Sequence, residues 1–352
     1  MKTGTSVAAP ALSEAWASRL RRRTANLKVY ATTGRGGGSP GSKRRRLEGR
    51  RYKLSLLLSA YCLLLSCGPP RAERIVVGSK NFTEQFVLGE LLAQAIEREG
   101  LSVDRRLNLG GTLICDRALL MGDIDVYVEY TGTALTAIFH RPIEKDSSRV
   151  YDEVRELYAR TGRTLLPPLG FNNTFAILVR GTDARSLGLR TIGDAARESP
   201  RWRAGFGYEF VGRPDGYPGL AEAYGLRFPA PPRVMDLTLS YRALASGQVD
   251  LIAGDTTAGL IKGLDLLQLE DDRHYFPPYD AAAVARAEAL LRYPQLRRAL
   301  ERLSGRISAA DMRAMNYAAD VEHRDIGGIA AGFLARVPSG APENVSAVPR
   351  RR

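Results

Sequence analysis

The fold is decided by one short stretch, Arg74-Ile75-Val76-Val77-Gly78-Ser79-Lys80-Asn81-Phe82-Thr83-Glu84-Gln85. Its apolar run at 74–78 predicts a buried strand. A helix is expected from about Phe82, with Asn81 as its N-cap and Glu84, three positions on, as the capping-box partner. Apolar residues then recur at helical spacing and form the expected buried stripe: Phe86, Val87, Leu91, Ala95 and Ile96.

Short apolar strands alternate with helical segments along the rest of the chain. Strands are predicted at 124–130, 174–180, 203–207, 249–254 and 282–286, and helices at 113–121, 192–198 and 239–246. The alternation predicts an α/β fold with a mainly parallel sheet and helices on both faces. The roughly 280 residues of the mature chain suit two lobes of about 100–170 residues each. Ligands of such sheets bind at the carboxyl ends of strands.

The formal charge of +13 at pH 7 lies almost entirely at the front of the chain. Residues 1–53 carry 14 Lys and Arg against two acids, which leaves 37 basic and 36 acidic residues for the remainder. The folded part is therefore close to neutral, and the high overall charge does not point to a nucleic-acid partner.

A basic cluster followed by the apolar run 54–65 is typical of a secretory signal peptide, which we place at 43–67. The run is too short for a transmembrane helix, which needs about 20 apolar residues. It ends in Leu64-Leu65-Ser66-Cys67, which resembles a lipoprotein cleavage site with Cys67 as the acylated residue. Ordinary cleavage and a twin-arginine signal at Arg50-Arg51 are the alternatives. Residues 1–42 are predicted to be a disordered or untranslated tail.

Catalytic and metal-binding patterns are missing from the sequence. Cys115 is the single cysteine after Cys67, and the three histidines lie far apart. No metal-ligand spacing, phosphate loop or Gly-x-Ser-x-Gly motif occurs, so we expect a protein that is not an enzyme and uses no metal or cofactor.

Six short polar and aromatic motifs follow one another along the chain. They are Gly78 to Gln85, Asn108-Leu109-Gly110-Gly111-Thr112, Glu129-Tyr130-Thr131-Gly132-Thr133, Asn172-Asn173-Thr174-Phe175-Ala176, Arg213-Pro214-Asp215-Gly216-Tyr217-Pro218-Gly219 and Phe276-Pro277-Pro278-Tyr279. Together they resemble the substrate-binding proteins of osmoprotectant ABC transporters, the glycine betaine, choline and carnitine group, over about residues 73–340.

This resemblance implies a two-lobed type II periplasmic-binding-protein fold with a ligand cleft between the lobes. Lobe 1 would comprise 73–172 plus 279–340, and lobe 2 would comprise 173–278. The implied function is capture of a quaternary-ammonium or betaine-type solute outside the cytoplasm, on a lipid-anchored or periplasmic protein. The solute would be handed to an ABC permease powered by a separate ATPase.

A quaternary ammonium has no N–H group, so aromatic faces are the groups suited to hold it. The resemblance implies a cage of Tyr130, Phe175 and Tyr279, and a carboxylate-binding Arg213 whose planar fork makes two parallel bonds. By motif position, Gln85 and Asn173 match polar residues of the cleft. Thr131 and Asp255 are predicted as further ligand contacts. Each aromatic could instead be a core or loop residue, and Arg213 could form a surface salt bridge beside the turn that follows it.

Two positions depart from the family pattern. Phe175 stands where the family commonly has tyrosine, so the ring remains and a hydroxyl is lost. Asp255, within Ala253-Gly254-Asp255-Thr256-Thr257, stands where an aromatic is usual, and its carboxylate could pair with a cation or with an amine- or hydroxyl-bearing ligand. The solute therefore stays open, with ergothioneine among the candidates, and a sensory receptor on the same fold is the alternative to a transport component.

Overall fold

A computed structural model describes residues 74–337. The signal peptide at 43–67, Cys67, the tail at 1–42 and the last residues of predicted lobe 1 lie outside this range. The strands are β1 (Arg74–Lys80), β2 (Ser102–Gly110), β3 (Val126–Tyr130), β4 (Arg163–Asn172), β5 (Phe175–Arg180), β6 (Ala204–Gly207), β7 (Arg233–Met235), β8 (Leu251–Asp255), β9 (Leu266–Gln268) and β10 (Asp280–Arg286).

Helices connect and cover these strands. They are α1 (Thr83–Arg98), α2 (Thr112–Met121), α3 (Ser147–Ala159), α4 (Gly181–Leu187), α5 (Ile192–Glu198), α6 (Tyr208–Gly212), α7 (Tyr217–Tyr224), α8 (Leu237–Ala245), α9 (Leu260–Gly263), α10 (Ala287–Arg292), α11 (Pro294–Glu301), α12 (Ala309–Asp320) and α13 (Ile326–Leu334). A helical turn at Thr131–Thr133 continues as a π-helix over Ala134–Ile138.

The strands form two five-stranded sheets. The first has the order β2-β1-β3-β10-β4 and the second the order β7-β6-β8-β5-β9. The chain passes from the first sheet to the second between β4 and β5, and it returns before β10. Asp280 pairs with Asn172, so the two crossings lie side by side.

Both sheets are mixed, and the prediction of a mainly parallel sheet is wrong. Strand β1 is parallel to β2 and β3, whereas β10 is antiparallel to both β3 and β4. In the second sheet β6 is parallel to β7 and β8, whereas β5 is antiparallel to β8 and β9. The physical reason is that β4 carries the chain out of the first sheet and β10 brings it back beside β4.

Helix α1 lies over the first sheet, and its expected buried stripe is largely present. Val87, Leu91, Ala95 and Ile96 are buried in the core, and Phe86 is partly exposed. The predicted capping box is wrong, because the helix begins at Thr83 with Phe82 as its N-cap and no side-chain cap. Glu84 instead points into the protein, where its side chain is 3% exposed.

Within residues 74–337, no helix combines the length and the apolar composition that a membrane crossing requires.

Candidate functional site

A cavity of about 190 Å³ lies where strand ends of the two sheets meet. We call it the cleft cavity. The last residues of four strands line it: Lys80 of β1, Tyr130 of β3, Gly207 of β6 and Asp255 of β8. The carboxyl ends of strands therefore build the site, as expected for an α/β fold. The other lining residues are Asn81, Phe82, Gly111, Thr133, Asn173, Phe175, Tyr208, Glu209, Phe210, Arg213, Asp236, Leu237, Ala253, Gly254 and Tyr279.

Aromatic rings form much of the wall. The rings of Phe82 and Tyr130 are stacked with centroids 6.4 Å apart. Phe175 packs edge-on against Phe210 at 4.8 Å and against Tyr279 at 5.6 Å. Such faces attract an organic cation through their quadrupole and through dispersion. The cavity is thus suited to a small ligand with an apolar, positively charged group.

A buried carboxylate behind the wall fixes the Tyr130 ring. The Tyr130 hydroxyl donates to Glu84 Oε1 at 2.6 Å, and Asn173 Nδ2 donates to the same oxygen at 2.8 Å. The other oxygen, Oε2, accepts from Asn316 Nδ2 at 2.9 Å and from the Thr257 hydroxyl. Burial raises the pKa of Glu84, although its four hydrogen bonds act in the opposite direction.

Arg213 is buried and bonds to other side chains of the protein. Its Nε and Nη2 donate to the two carboxylate oxygens of Asp215 at 2.9 and 2.5 Å, and its Nη1 donates to Thr133 Oγ1 at 3.0 Å. The guanidinium carbon also lies 5.1 Å from the ring centroid of Phe175. Burial acts to raise the pKa of Asp215, but the bonds from Arg213 hold it below its ordinary value. The two parallel bonds expected from Arg213 to a ligand thus go to Asp215 here.

Lys80 is the second cation of the cleft cavity. Its ammonium forms a buried ion pair with Glu129, donates to Thr112 Oγ1 at 3.0 Å and lies 4.9 Å from the centroid of the Tyr130 ring. The pair satisfies the charge of Lys80 inside the protein.

Glu209 of α6 reaches across the cleft cavity to the start of α2. Its carboxylate accepts from the backbone N–H of Thr112 at 2.6 Å and from the Thr112 hydroxyl at 3.1 Å. The helix has Gly111 as its N-cap and no cap from its own side chains. A carboxylate from the second sheet therefore satisfies this helix N-terminus, which favours negative charge.

Asp255 differs from the other acids of the cavity. Its backbone N–H donates to the Tyr241 hydroxyl at 2.9 Å, but its carboxylate has no hydrogen-bond or ion-pair partner within residues 74–337. Burial raises the pKa of Asp255 to about 7, Glu84 and Glu209 add to the rise, and Lys80 and Arg213 oppose it.

Six of the predicted site residues line the cleft cavity: Tyr130, Asn173, Phe175, Arg213, Asp255 and Tyr279. Gln85 and Thr131 lie behind the lining. Gln85 Nε2 donates to the Tyr130 hydroxyl at 3.1 Å, and Thr131 Oγ1 accepts from the Asp280 backbone at 3.0 Å. Their predicted ligand contacts stay predictions.

Sequence reasoning missed several lining residues, notably Lys80, Phe82, Thr133, Glu209 and Phe210. Lys80, Phe82 and Thr133 lie inside motifs that were recognised, so their position in those motifs was an available clue. Glu209 and Phe210 lie outside every motif and carry no such clue. Among the described residues, no group of three or more His, Cys, Asp or Glu side chains is arranged to hold a metal ion.

Comparisons with known sequences and structures agree on one protein family. A model of the substrate-binding domain of ABC-type glycine betaine transport systems matches residues 73–336. The glycine-betaine-binding protein of Pseudomonas aeruginosa is 35% identical over 295 residues, which cover 80% of this chain and 94% of that protein. The ergothioneine transport permease/ergothioneine binding protein EgtU of Helicobacter pylori is 32% identical, over 81% of this chain and 51% of that protein.

A solved structure has the same architecture. The crystal structure of a glycine betaine/carnitine/choline ABC transporter is 31% identical, covers 74% of this chain and 97% of that chain, and gives a TM-score of 0.63. This likeness confirms the predicted two-lobed α/β fold with a cleft between the lobes.

Proposed function

The chain belongs to the family of substrate-binding domains of ABC-type glycine betaine transport systems, and on that premise we propose that it holds a small quaternary-ammonium or betaine-type cation in the cleft cavity. Its function is that of the substrate-binding component of such a transporter, which acts outside the cytoplasm with a membrane permease. Family members are binding proteins of transporters, and the expected lack of enzymatic activity in this chain stays a prediction.

The observation that carries this proposal is the aromatic wall with an unpaired carboxylate beside it. Rings from both sheets face one cavity, and Asp255 supplies a negative charge there without a protein partner among residues 74–337. The cavity, at about 190 Å³, is smaller than the roughly 300–1,000 Å³ of drug-sized ligand sites, which favours a small solute.

Isothermal titration of the purified protein against glycine betaine, choline, carnitine, proline betaine and ergothioneine tests the proposal. We expect at least one of them to bind, and Tyr130→Ala to weaken that binding at least tenfold because a cage wall is lost. Tyr151→Ala, which removes a ring outside the cavity, is the matched control and should leave binding unchanged. Failure of all five ligands to bind folded protein would refute the proposed function.

An ergothioneine-type solute is the second candidate. It is favoured by the similarity to EgtU and by Asp255, which could accept a hydrogen bond from a ligand N–H group. The same titration series decides between the two candidates.

We also propose that the protein is displayed on the outer face of the membrane through acylated Cys67, as the Leu64-Leu65-Ser66-Cys67 sequence suggests. Cells expressing Cys67→Ser should release the protein from the membrane fraction and incorporate no labelled fatty acid into it. Unchanged membrane association of Cys67→Ser would argue against the anchor.

A further inference from the structure

The positive charges that line the cleft cavity already face carboxylates of the chain. Arg213 makes a bidentate pair with Asp215, and Lys80 pairs with Glu129. The lining of the cavity contains no other Lys or Arg side chain within residues 74–337. A ligand carboxylate that used either cation would have to compete with a buried carboxylate that is covalently part of the protein, at high effective concentration.

The third natural site for an anion is the start of α2, and it is also taken. Glu209 accepts both the Thr112 backbone N–H and the Thr112 hydroxyl. Glu209 extends from the side of the cavity formed by the second sheet. Its carboxylate occupies the position where an incoming ligand carboxylate would meet the helix N-terminus. A bound zwitterion would therefore have to displace Glu209 or place its own carboxylate elsewhere.

Negative charge dominates the remaining lining. Glu209, Asp236 and Asp255 all line the cavity. Asp236 caps α8 by accepting from the Thr238 N–H at 2.9 Å, and Glu209 caps α2. Asp255 is the acid left without a partner among the described residues, and it lies directly opposite Phe175 in the ladder between β5 and β8. One anionic and one aromatic surface thus face the same space.

We infer that the cleft cavity selects an organic monocation without a carboxylate, of the quaternary-ammonium alcohol type, over a zwitterionic betaine. The cation would lie against the rings and neutralise Asp255, and no ligand carboxylate would be needed to satisfy Arg213, Lys80 or the start of α2. The inference rests on the proposed function and narrows its substrate class.

Choline and glycine betaine are the matched probes, because they share the trimethylammonium group. Choline carries a hydroxymethyl group where glycine betaine carries a carboxylate. Titration of the purified wild-type protein should show choline binding at least tenfold more tightly than glycine betaine. Glycine betaine binding as tightly as choline, or more tightly, overturns the inference and leaves the proposed function standing. Absence of binding by the whole ligand panel to folded protein overturns both.

Two variants test the residues that set the preference. Asp255→Asn should weaken the binding of choline at least tenfold. It should weaken the binding of glycine betaine by a smaller factor, because the variant no longer repels the betaine carboxylate. Glu209→Ala should free the Thr112 N–H and tighten the binding of glycine betaine at least threefold. The preference for choline over glycine betaine should therefore decrease. Glu222→Gln, on the exposed side of α7, removes one charge outside the cavity and should change neither affinity.

The ratio of the two affinities is the readout, because loss of structure alone would lower both together. Thermal melts of each variant confirm that it is folded before titration. An unchanged ratio in folded Asp255→Asn and Glu209→Ala would overturn the assignment of these two residues as the source of the preference.

Discussion

Two carboxylates flank the wall of the cleft cavity, and the chain surrounds them in opposite ways. Glu84 lies behind the wall and accepts four side-chain hydrogen bonds, from Tyr130, Asn173, Thr257 and Asn316. Asp255 lies on the wall, and its carboxylate accepts none from residues 74–337.

A buried carboxylate costs free energy unless it is paired or hydrogen-bonded. The chain offsets that cost at Glu84 with its own donors, so Glu84 serves the structure. Asp255 is only partly buried, and its carboxylate has no partner among residues 74–337 until a ligand supplies positive charge. The comparison therefore separates an acid that the chain itself satisfies from one that we propose binds the ligand.

The largest expected effect is on stability at Glu84. Glu84→Ala leaves four buried donors without their acceptor, so we expect the free energy of unfolding to fall by about 3–5 kcal/mol. Urea unfolding measures it. Glu97→Ala is the control on the same helix, since its ion pair with Arg105 is exposed and its loss should cost less than about 1 kcal/mol. A loss at Glu84 as small as that at Glu97 would contradict the structural role.

Tyr130→Phe tests the contribution of the hydroxyl separately from that of the ring. It removes the 2.6 Å bond to Glu84 and keeps the ring, so the free energy of unfolding should fall by about 1–2 kcal/mol. Ligand affinity should change less than threefold, in contrast to Tyr130→Ala. A tenfold loss of affinity in Tyr130→Phe would mean that the hydroxyl, and not the ring face, binds the ligand.

Binding of a cation should depend on pH through Asp255. Burial raises the pKa of Asp255 to about 7, with Glu84 and Glu209 adding to the rise and Lys80 and Arg213 opposing it. The carboxyl group is mostly neutral at pH 6 and mostly ionised at pH 8. A cation binds the ionised form, so choline affinity should rise about tenfold between these pH values. Titration of the wild type and of Asp255→Asn measures this, and an equal rise in the variant would exclude Asp255 as the source.

The smallest expected effect is a gain in stability without ligand. A carboxyl group with a raised pKa in the folded state binds its proton more tightly there, so its contribution to stability is lost as pH rises towards 7. Asp255→Asn removes the unpaired charge, and we expect the free energy of unfolding at pH 8 to rise by about 1 kcal/mol. At pH 4 the wild type and the variant should unfold at nearly the same urea concentration. A destabilised variant at pH 8 would show that Asp255 has a structural partner.

Much of the architecture was readable from local sequence pattern. The helix predicted at 192–198 has the bounds of α5, Ile192–Glu198, and the six predicted strands all appear with shifts at their ends. Strand β2 was missed because it lies at a sheet edge and carries exposed charged residues, such as Arg105 and Arg106, that break the apolar pattern. Strand β4 was missed because it contains Pro167 and Pro168, which usually argue against a strand.

The site was harder to predict because its decisive contacts join distant parts of the chain. The spacing of Asn81 and Glu84 fits a capping box, yet the partners of Glu84 include Asn173 and Asn316, which no local pattern connects to it. Arg213 and Asp215 are two residues apart, but only the fold shows that Asp215 is buried and bonds Arg213 at the cavity wall. Strand direction in the sheets likewise follows from where the chain crosses between them.

The most direct test of the account is a crystal structure of the protein with choline. We predict a quaternary nitrogen within about 6 Å of the ring centroids of Tyr130 and Phe175 and equally close to the Asp255 carboxylate, with Glu209 still bonded to Thr112. Choline bound away from Asp255, or a cavity in which Asp255 has turned to a protein donor and left the cation to the rings alone, would contradict it.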